Sequence, residues 1–178
     1  MLYRKKSFQG TWAIRMQGLS DLPVEFAGAT VLDVGCNMGI IGYEICKRKP
    51  AFFHGVEAML IHSFVAKMVF QGVEAENRID RFDITKENMR RKKLLETYDI
   101  ILYLAVHQHL RKQVGAVEAC KVAIDLFSRC RGSLVFRGPH LDEISEIGES
   151  CGLLLKKTID CGLTNKLALF QKPIEATQ

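Results

Sequence analysis

The stretch Val31-Leu-Asp-Val-Gly-Cys-Asn-Met-Gly39 decides the fold of this 178-residue chain. It overlaps the apolar run 29–35, which predicts a buried β-strand that ends at a glycine. Residues 40–49 follow with helical spacing and stop before Pro50. A strand, a glycine-containing loop and a helix predict the first unit of an α/β sheet. In such sheets ligands bind beyond the carboxyl ends of the strands.

The same alternation of strands and helices continues along the chain. Further strands are predicted at 52–57, 78–82, 98–106 and 132–137, and helices at 59–71, 110–129 and 139–151. The strongly apolar segment 98–106 is predicted to lie at the centre of the sheet, buried on both faces. The last two strands, 153–159 and 166–171, are separated by too few residues for a parallel crossover, so they form an antiparallel hairpin. We therefore predict one doubly wound Rossmann-like sheet, mostly parallel, with a C-terminal antiparallel hairpin.

The composition is that of an ordinary globular domain, with 48% hydrophobic and 25% charged residues. The longest apolar run, Ile100 to Val106, is far shorter than the roughly 20 residues of a membrane span. No secretory signal follows the basic residues near the start of the chain. The six cysteines form no C-x-x-C pair, and we interpret them as reduced thiols, with a zinc site or disulfides as the alternatives. These features predict a cytoplasmic protein that does not bind membranes.

The positive charge is concentrated in two segments. Residues 86–93 contain five basic residues and one acidic residue, and residues 1–29 carry a net charge of +2. The rest of the chain is close to neutral, although the total is +5. Such a segment is either a phosphate-binding patch, which would suit RNA, or simply a solvated face.

Residues 31–39 resemble motif I of the class I S-adenosylmethionine-dependent methyltransferases, in which two hydrophobic residues precede Asp/Glu-x-Gly-x-Gly-x-Gly. Asn37 stands where that motif has its middle glycine. The dinucleotide fingerprint G-x-G-x-x-G fits less well, because Asn37 and Ile40 occupy its later glycine positions. The resemblance extends over residues 28–172 and implies the strand order 3-2-1-4-5-7-6.

The resemblance also implies a binding site for S-adenosylmethionine. Asp33 would hold the amino group of the methionine moiety, and Glu57 at the end of the second strand would hydrogen-bond the ribose hydroxyls. Asp83 after the third strand would face the adenine amine. The full set of predicted cofactor residues is Asp33, Gly35, Cys36, Asn37, Gly39, Glu57, Ala58, Asp83, Ile84 and Leu104. Helix capping is the alternative role for the three acidic residues.

Two histidines follow the fourth predicted strand. His107 and His109 alternate along a segment predicted to be extended, so both could face one cleft and accept a proton from a substrate. They lack a third ligand at a readable spacing, and no metal site is predicted. Loop histidines without a catalytic role are the alternative.

Substrate contacts are predicted in two separate parts of the chain. Trp12 and Arg15 lie in residues 1–27, which could fold over the site or pack as a helix against the sheet. Arg137 and His140 flank the end of the fifth strand and are candidate anion contacts. Residues 28–172 then form the cofactor domain, and residues 173–178 form a tail.

The predicted function is transfer of a methyl group from S-adenosylmethionine to an O or N nucleophile by in-line displacement. A small-molecule acceptor is favoured, because Ala105-Val-His-Gln108 replaces the Asn/Asp-Pro-Pro-Tyr/Phe sequence of enzymes that methylate amino groups of nucleic acids. RNA is the second possibility, because of segment 86–93. A non-catalytic cofactor-binding subunit, or transfer of a group other than methyl, remains open.

Overall fold

The structure is a computed structural model that describes residues 15–85, 88, 94–161 and 165–173. Its strands are β1 (Thr30–Val34), β2 (Phe52–Glu57), β3 (Asn77–Arg81), β4 (Tyr98–Leu104), β5 (Cys130–Gly138), β6 (Leu154–Asp160) and β7 (Lys166–Gln171). Its helices are α1 (Ile40–Cys46), α2 (Leu60–Phe70), α3 (His107–Val114), α4 (Ala116–Phe127) and α5 (Leu141–Ser150), and a 3-10 turn covers Leu19–Asp21. Trp12 and almost all of segment 86–93 lie outside the described residues.

The seven strands form one sheet in the order β3-β2-β1-β4-β5-β7-β6. The pairs from β3 to β5 are parallel, whereas β7 runs antiparallel to both β5 and β6. This topology confirms the predicted doubly wound sheet, its C-terminal hairpin and its strand order. The order reverses between β1 and β4, and in folds of this type a ligand crevice opens at that point.

The two central strands carry core residues on both faces of the sheet. In β1, Leu32 and Val34 pack into one hydrophobic cluster and Val31 packs into the other, as the two-residue period of a strand requires. In β4, Ile101 and Leu102 divide in the same way between the two clusters. The prediction that β4 is a buried central strand is therefore confirmed.

A polar clamp joins the starts of β1 and β4. The Asp99 carboxylate accepts hydrogen bonds from the Thr30 backbone N–H at 2.8 Å and from the Thr30 hydroxyl at 2.7 Å, and it pairs with Arg131 at 2.7 Å. Burial raises the pKa of Asp99, but the bonds from Thr30 and the Arg131 guanidinium outweigh it and hold the pKa below its ordinary value. The clamp fixes the register of the two strands that lead to the ligand crevice.

The segment after β4 differs from its prediction. The strand ends at Leu104, Ala105 adopts a left-handed backbone with φ 58°, and α3 begins at His107. The helix predicted at 110–129 is instead two helices, because Gly115 with φ 84° and ψ 163° interrupts it. The prediction of an extended segment through His107 and His109 is therefore wrong.

In the part of the chain that the structure describes, no helix combines the length and the apolar character that a membrane crossing requires. All six cysteines fall in this part, and each is a free thiol.

Candidate active site

A cavity of about 630 Å³ opens where β1, β2 and β4 end, which is a typical size for a small-molecule site. Its lining includes the carboxylates of Asp33 and Glu57 at the ends of neighbouring parallel strands. The loop after β1 forms its floor, and the first turns of α2 and α3 contribute further residues. The cavity therefore lies at the crevice expected from the strand order.

The loop between β1 and α1 is a tight left-handed turn. Gly35, Asn37 and Gly39 have φ values of 70°, 53° and 81°. A Cβ atom at Gly35 would lie 2.8 Å from Cγ2 of Val106, so a larger residue would collide with the cavity wall. Gly39 lies outside the lining, and a Cβ atom there would lie 2.9 Å from the Phe70 ring. The role of Gly39 is thus to let α1 pack closely on α2, and it does not line the cavity.

Glu57 is buried at the end of β2 and holds the surrounding loops. Its Oε2 atom accepts the Asn37 N–H at 2.8 Å, and its Oε1 atom accepts the Met59 N–H at 2.8 Å. Met59 precedes the first residue of α2, so Glu57 also caps the start of this helix, which was the alternative role predicted for it. Each carboxylate oxygen has a further lone pair, which leaves capacity for a ligand hydroxyl.

Asp33 is a buried carboxyl of the cavity with a strongly shifted pKa. Its side chain is 2% exposed, and Oδ2 finds no hydrogen-bond partner among the described residues. Burial, and then the nearby Glu57 carboxylate, raise the pKa of Asp33 to about 7. A buried acceptor without a donor is costly, so this carboxyl is suited to a ligand that brings its own N–H donors and positive charge.

The third predicted acidic residue, Asp83, lies exposed in the loop after β3 and lines the cavity together with Ile84. Its backbone carbonyl accepts the Thr85 N–H at 2.9 Å, whereas the Thr85 hydroxyl accepts the Asn88 N–H at 3.2 Å. The capping bond seen here is thus made by Thr85 and not by the Asp83 carboxylate.

Asn37 connects three parts of the site. The Arg15 guanidinium donates to its Oδ1 atom at 3.1 Å, and its Nδ2 atom lies 3.1 Å from Nδ1 of His62 on α2. The Arg137 guanidinium donates to the carbonyls of Arg15 and Gln17 at 2.6 Å each. Arg137 therefore lines the cavity, and the two terminal nitrogens of its guanidinium hold the chain that enters β1.

The two predicted catalytic histidines do not share a cleft. They lie two positions apart on α3, so roughly 200° of helical rotation separates their side chains. His109 is exposed and lines the cavity, whereas His107 is fully buried outside the lining. The ring nitrogens of His107 lie 3.1 Å from the Tyr103 hydroxyl and 3.0 Å from the Glu143 carboxylate. Burial lowers the pKa of His107, with partial compensation from Glu143.

His140, a predicted substrate contact, also lies outside the cavity lining; its ring centroid is 5.8 Å from that of His107. Predicted residues that do line the cavity are Arg15, Asp33, Gly35, Cys36, Asn37, Glu57, Ala58, Asp83, Ile84, Leu104, His109 and Arg137.

Sequence reasoning missed seven further lining residues: Ile41, Met59, His62, Ala105, Val106, Leu110 and Gln113. Ala105 and Val106 follow the strongest strand directly, and that position alone was a usable signal. His62 and Gln113 reach the cavity through the packing of α2 and α3, for which the local sequence gives no signal.

No known family model matches this chain, and no curated protein sequence matches it significantly. Solved structures resemble it in fold. Magnesium protoporphyrin IX methyltransferase from Synechocystis PCC 6803, with bound S-adenosylmethionine, aligns over 93% of this chain and 79% of its own, with 17% identity and TM-score 0.66.

Two other solved structures show the range of proteins that share this fold. A putative RNA methyltransferase from Pyrococcus horikoshii aligns over 94% of this chain and 82% of its own, with 13% identity and TM-score 0.64. The [4+2]-cyclase SpnF aligns over 91% and 82%, with 11% identity and TM-score 0.68. The chain therefore has the seven-stranded, Rossmann-like fold of the class I S-adenosylmethionine-dependent methyltransferases.

Proposed function

We propose that this protein binds S-adenosylmethionine and transfers a methyl group to an O or N nucleophile of a small molecule. The observation that carries the proposal is the pair of buried carboxylates, Asp33 and Glu57, at the carboxyl ends of β1 and β2 in a cavity of about 630 Å³. The shared fold supports the same conclusion. Fold alone does not fix chemistry, so the proposal depends on this site.

The residues present fit the cofactor part by part. The unpartnered Oδ2 of Asp33 suits the ammonium group of the methionine moiety, because a charge-assisted bond would satisfy it. The free lone pairs of Glu57 suit the ribose hydroxyls. Ile84 and Leu104 would offer apolar contact for the adenine ring, and we assign the exposed Asp83 carboxylate of the same cavity to the adenine amine.

When bound, the cofactor would supply an electrophilic methyl group on a sulfonium sulfur. The protein's task is then to align a nucleophile and exclude water, and such alignment is worth roughly 7–11 kcal/mol. Val106 and Leu110 give the cavity an apolar wall next to the Gly35 turn. We assign proton acceptance from the acceptor molecule to His109, since both ring nitrogens of His107 already contact other side chains.

Calorimetry with S-adenosylmethionine and with S-adenosylhomocysteine tests the cofactor assignment. We expect micromolar binding of both. Glu57→Ala removes the two proposed ribose bonds, each worth roughly 0.5–1.5 kcal/mol, so affinity should fall by about 5- to 150-fold. Glu44→Ala is the matched control, since this half-buried glutamate of α1 lies outside the cavity lining, and it should bind normally. Folded protein that binds neither compound would refute the proposal.

Transfer of tritium from labelled S-adenosylmethionine into a fractionated cell lysate tests the acceptor. We expect label in small molecules and its loss in His109→Ala, with cofactor affinity unchanged in that variant. The free state of all six thiols agrees with a cytoplasmic setting for such a reaction, which is part of this proposal.

RNA is the second candidate acceptor, favoured by the basic segment 86–93 and by the fold shared with the putative RNA methyltransferase. In that case label enters RNA, and RNA affinity falls steeply as salt rises.

Binding of S-adenosylmethionine without any transfer would instead indicate a non-catalytic cofactor-binding subunit. Because the cyclase SpnF has the same fold, the mass of the product decides whether the transferred group is methyl.

A further inference from the structure

Three side chains from three helices meet on the side of α3 that faces away from the cavity. His107 of α3, Cys120 of α4 and Glu143 of α5 place one ligand atom each within 4.8 Å of the others. His107 Nε2 lies 3.0 Å from Oε2 of Glu143, and Cys120 Sγ lies 3.0 Å from Oε1 of Glu143. None of the three lines the candidate active site.

The spacing of these atoms is close to that of a tetrahedral zinc site. Zinc bonds of roughly 2.0–2.3 Å to nitrogen, oxygen and sulfur place neighbouring ligand atoms about 3.3–3.6 Å apart. The two measured separations of 3.0 Å end on different oxygens of Glu143, and the three ligand atoms lie within 4.8 Å of one another, so a turn of the carboxylate and side-chain shifts of about 1 Å bring them into this range. A thiol and an imidazole favour zinc over magnesium or calcium, which prefer oxygen ligands.

The residues around the cluster fix the orientation of the His107 ring and leave Glu143 accessible to an ion from solvent. His107 is completely buried, and the Tyr103 hydroxyl lies 3.1 Å from its Nδ1 atom, which fixes the ring with Nε2 toward Glu143. A partner on the second ring nitrogen is the usual arrangement for a metal-binding histidine. The Glu143 side chain is 27% exposed, so an ion can enter from solvent and keep a water as its fourth ligand.

The positively charged side chain of Arg111 already lies beside Glu143 in this cluster. The Arg111 guanidinium, one helical turn after His107, bonds both oxygens of Glu143. Its side chain is 31% exposed and can move into solvent without leaving a buried charge. Arg111 therefore has the properties of a side chain that neutralises Glu143 until a divalent ion replaces it.

We propose that His107, Cys120 and Glu143 form a zinc-binding site, with Arg111 as the competing cation in the metal-free protein. On binding, the Cys120 S–H bond breaks, its proton goes to solvent, and a bond forms between sulfur and zinc. The thiolate and the carboxylate then balance the 2+ charge. Because α3 also carries His109, the ion would tie the helix of the candidate active site to α4 and α5.

Titration of the metal-free full-length protein with Co²⁺, followed by displacement with Zn²⁺, tests the site. A cysteine-bound Co²⁺ gives a thiolate-to-metal band in the near ultraviolet, and we expect it at one ion per chain. Cys120→Ser should lose the band and weaken binding by at least about a hundredfold, since losing even a partner of a ligand costs roughly 10–100-fold. Cys151→Ser, a half-buried cysteine outside the cluster, is the matched control and should keep the band.

Two more variants keep the test decisive if Cys120→Ser folds poorly. Glu143→Gln should also weaken Zn²⁺ binding, whereas Arg111→Ala should strengthen it by roughly two- to fivefold through loss of a competing ion pair. Circular dichroism confirms that each variant is folded. The proposal is overturned if the wild type binds no Co²⁺, if the band survives in folded Cys120→Ser, or if Arg111→Ala binds more weakly. Cofactor calorimetry is a separate readout, so this result does not depend on the methyltransferase proposal.

Discussion

Replacement of Asp33 by Asn should make the protein more stable at pH 8 while weakening the proposed binding of S-adenosylmethionine. Asp33 is 2% exposed, and its Oδ2 atom has no hydrogen-bond partner among the described residues. Ionisation of this carboxyl therefore costs free energy in the folded protein. Asn has nearly the same shape and carries no charge, so Asp33→Asn removes that cost with little change in packing.

The size of the effect follows from the pKa of Asp33, which burial and Glu57 raise from 3.8 to about 7. The difference of about 3 pKa units corresponds to about 4 kcal/mol, at about 1.36 kcal/mol per unit. Between these two pH values the folded state binds more protons than the unfolded state. Wild-type stability should therefore be highest below about pH 4 with respect to this group, and it should fall as the pH rises through 7.

Urea unfolding of both proteins at about pH 4.5, 6 and 8 measures this difference. The free energies of unfolding should differ by only about 1 kcal/mol at pH 4.5, and Asp33→Asn should exceed the wild type by about 4 kcal/mol at pH 8. Calorimetry should show that the variant binds S-adenosylmethionine more weakly, because a neutral amide lacks the negative charge that would pair with the ammonium group. The reasoning is refuted if the two proteins show parallel pH profiles, or if the variant is the less stable one at pH 8.

Three further predictions concern the scaffold. Gly42→Ala should lower stability by about 1–3 kcal/mol in thermal unfolding, because the new Cβ atom would lie under 3 Å from the Phe53 and Phe70 rings; Gly72→Ala, with open space around it, should not. Asp99→Asn should cost about 1 kcal/mol near neutral pH, and the difference should shrink only in more acidic solution, as the pH falls through the lowered pKa of Asp99 and the wild-type carboxylate takes up a proton. Arg137→Ala should accelerate tryptic cleavage after Arg15, since it frees the Arg15 and Gln17 carbonyls, whereas Arg81→Ala on edge strand β3 should leave that rate unchanged.

The strands of the sheet and the positions of Asp33 and Glu57 could be predicted because their signals are local. An apolar run that ends at a glycine marks a strand and the edge where it stops, and parallel strands bring such edges together. Asp33 and Glu57 each follow from one short segment, and the sheet then places them in one cavity. Short-range patterns therefore gave the strands, whereas the strand order and the candidate site came from the resemblance of residues 31–39 to motif I.

The wrong expectations about secondary structure concern the chain after β4, where local sequence does not decide the backbone. Ala105 takes a left-handed φ of 58°, and its N–H donates to the Arg137 carbonyl at 2.7 Å on the neighbouring strand. That distant contact ends the strand and lets α3 begin at His107. In a helix, side chains two positions apart no longer lie on the same face as they do in a strand. His107 and His109 therefore lie on different faces of α3, and His107 contacts Glu143.

Asn37 shows why a departure from a glycine pattern need not weaken a site. The turn needs a left-handed residue at this position, and Asn adopts φ 53° more readily than most other side chains do. Its backbone N–H bonds Glu57, while its side chain contacts Arg15 and His62. A glycine could make the backbone bond but neither side-chain contact. The substitution therefore keeps the turn and adds a link between the chain that enters β1 and helix α2 at the mouth of the cavity.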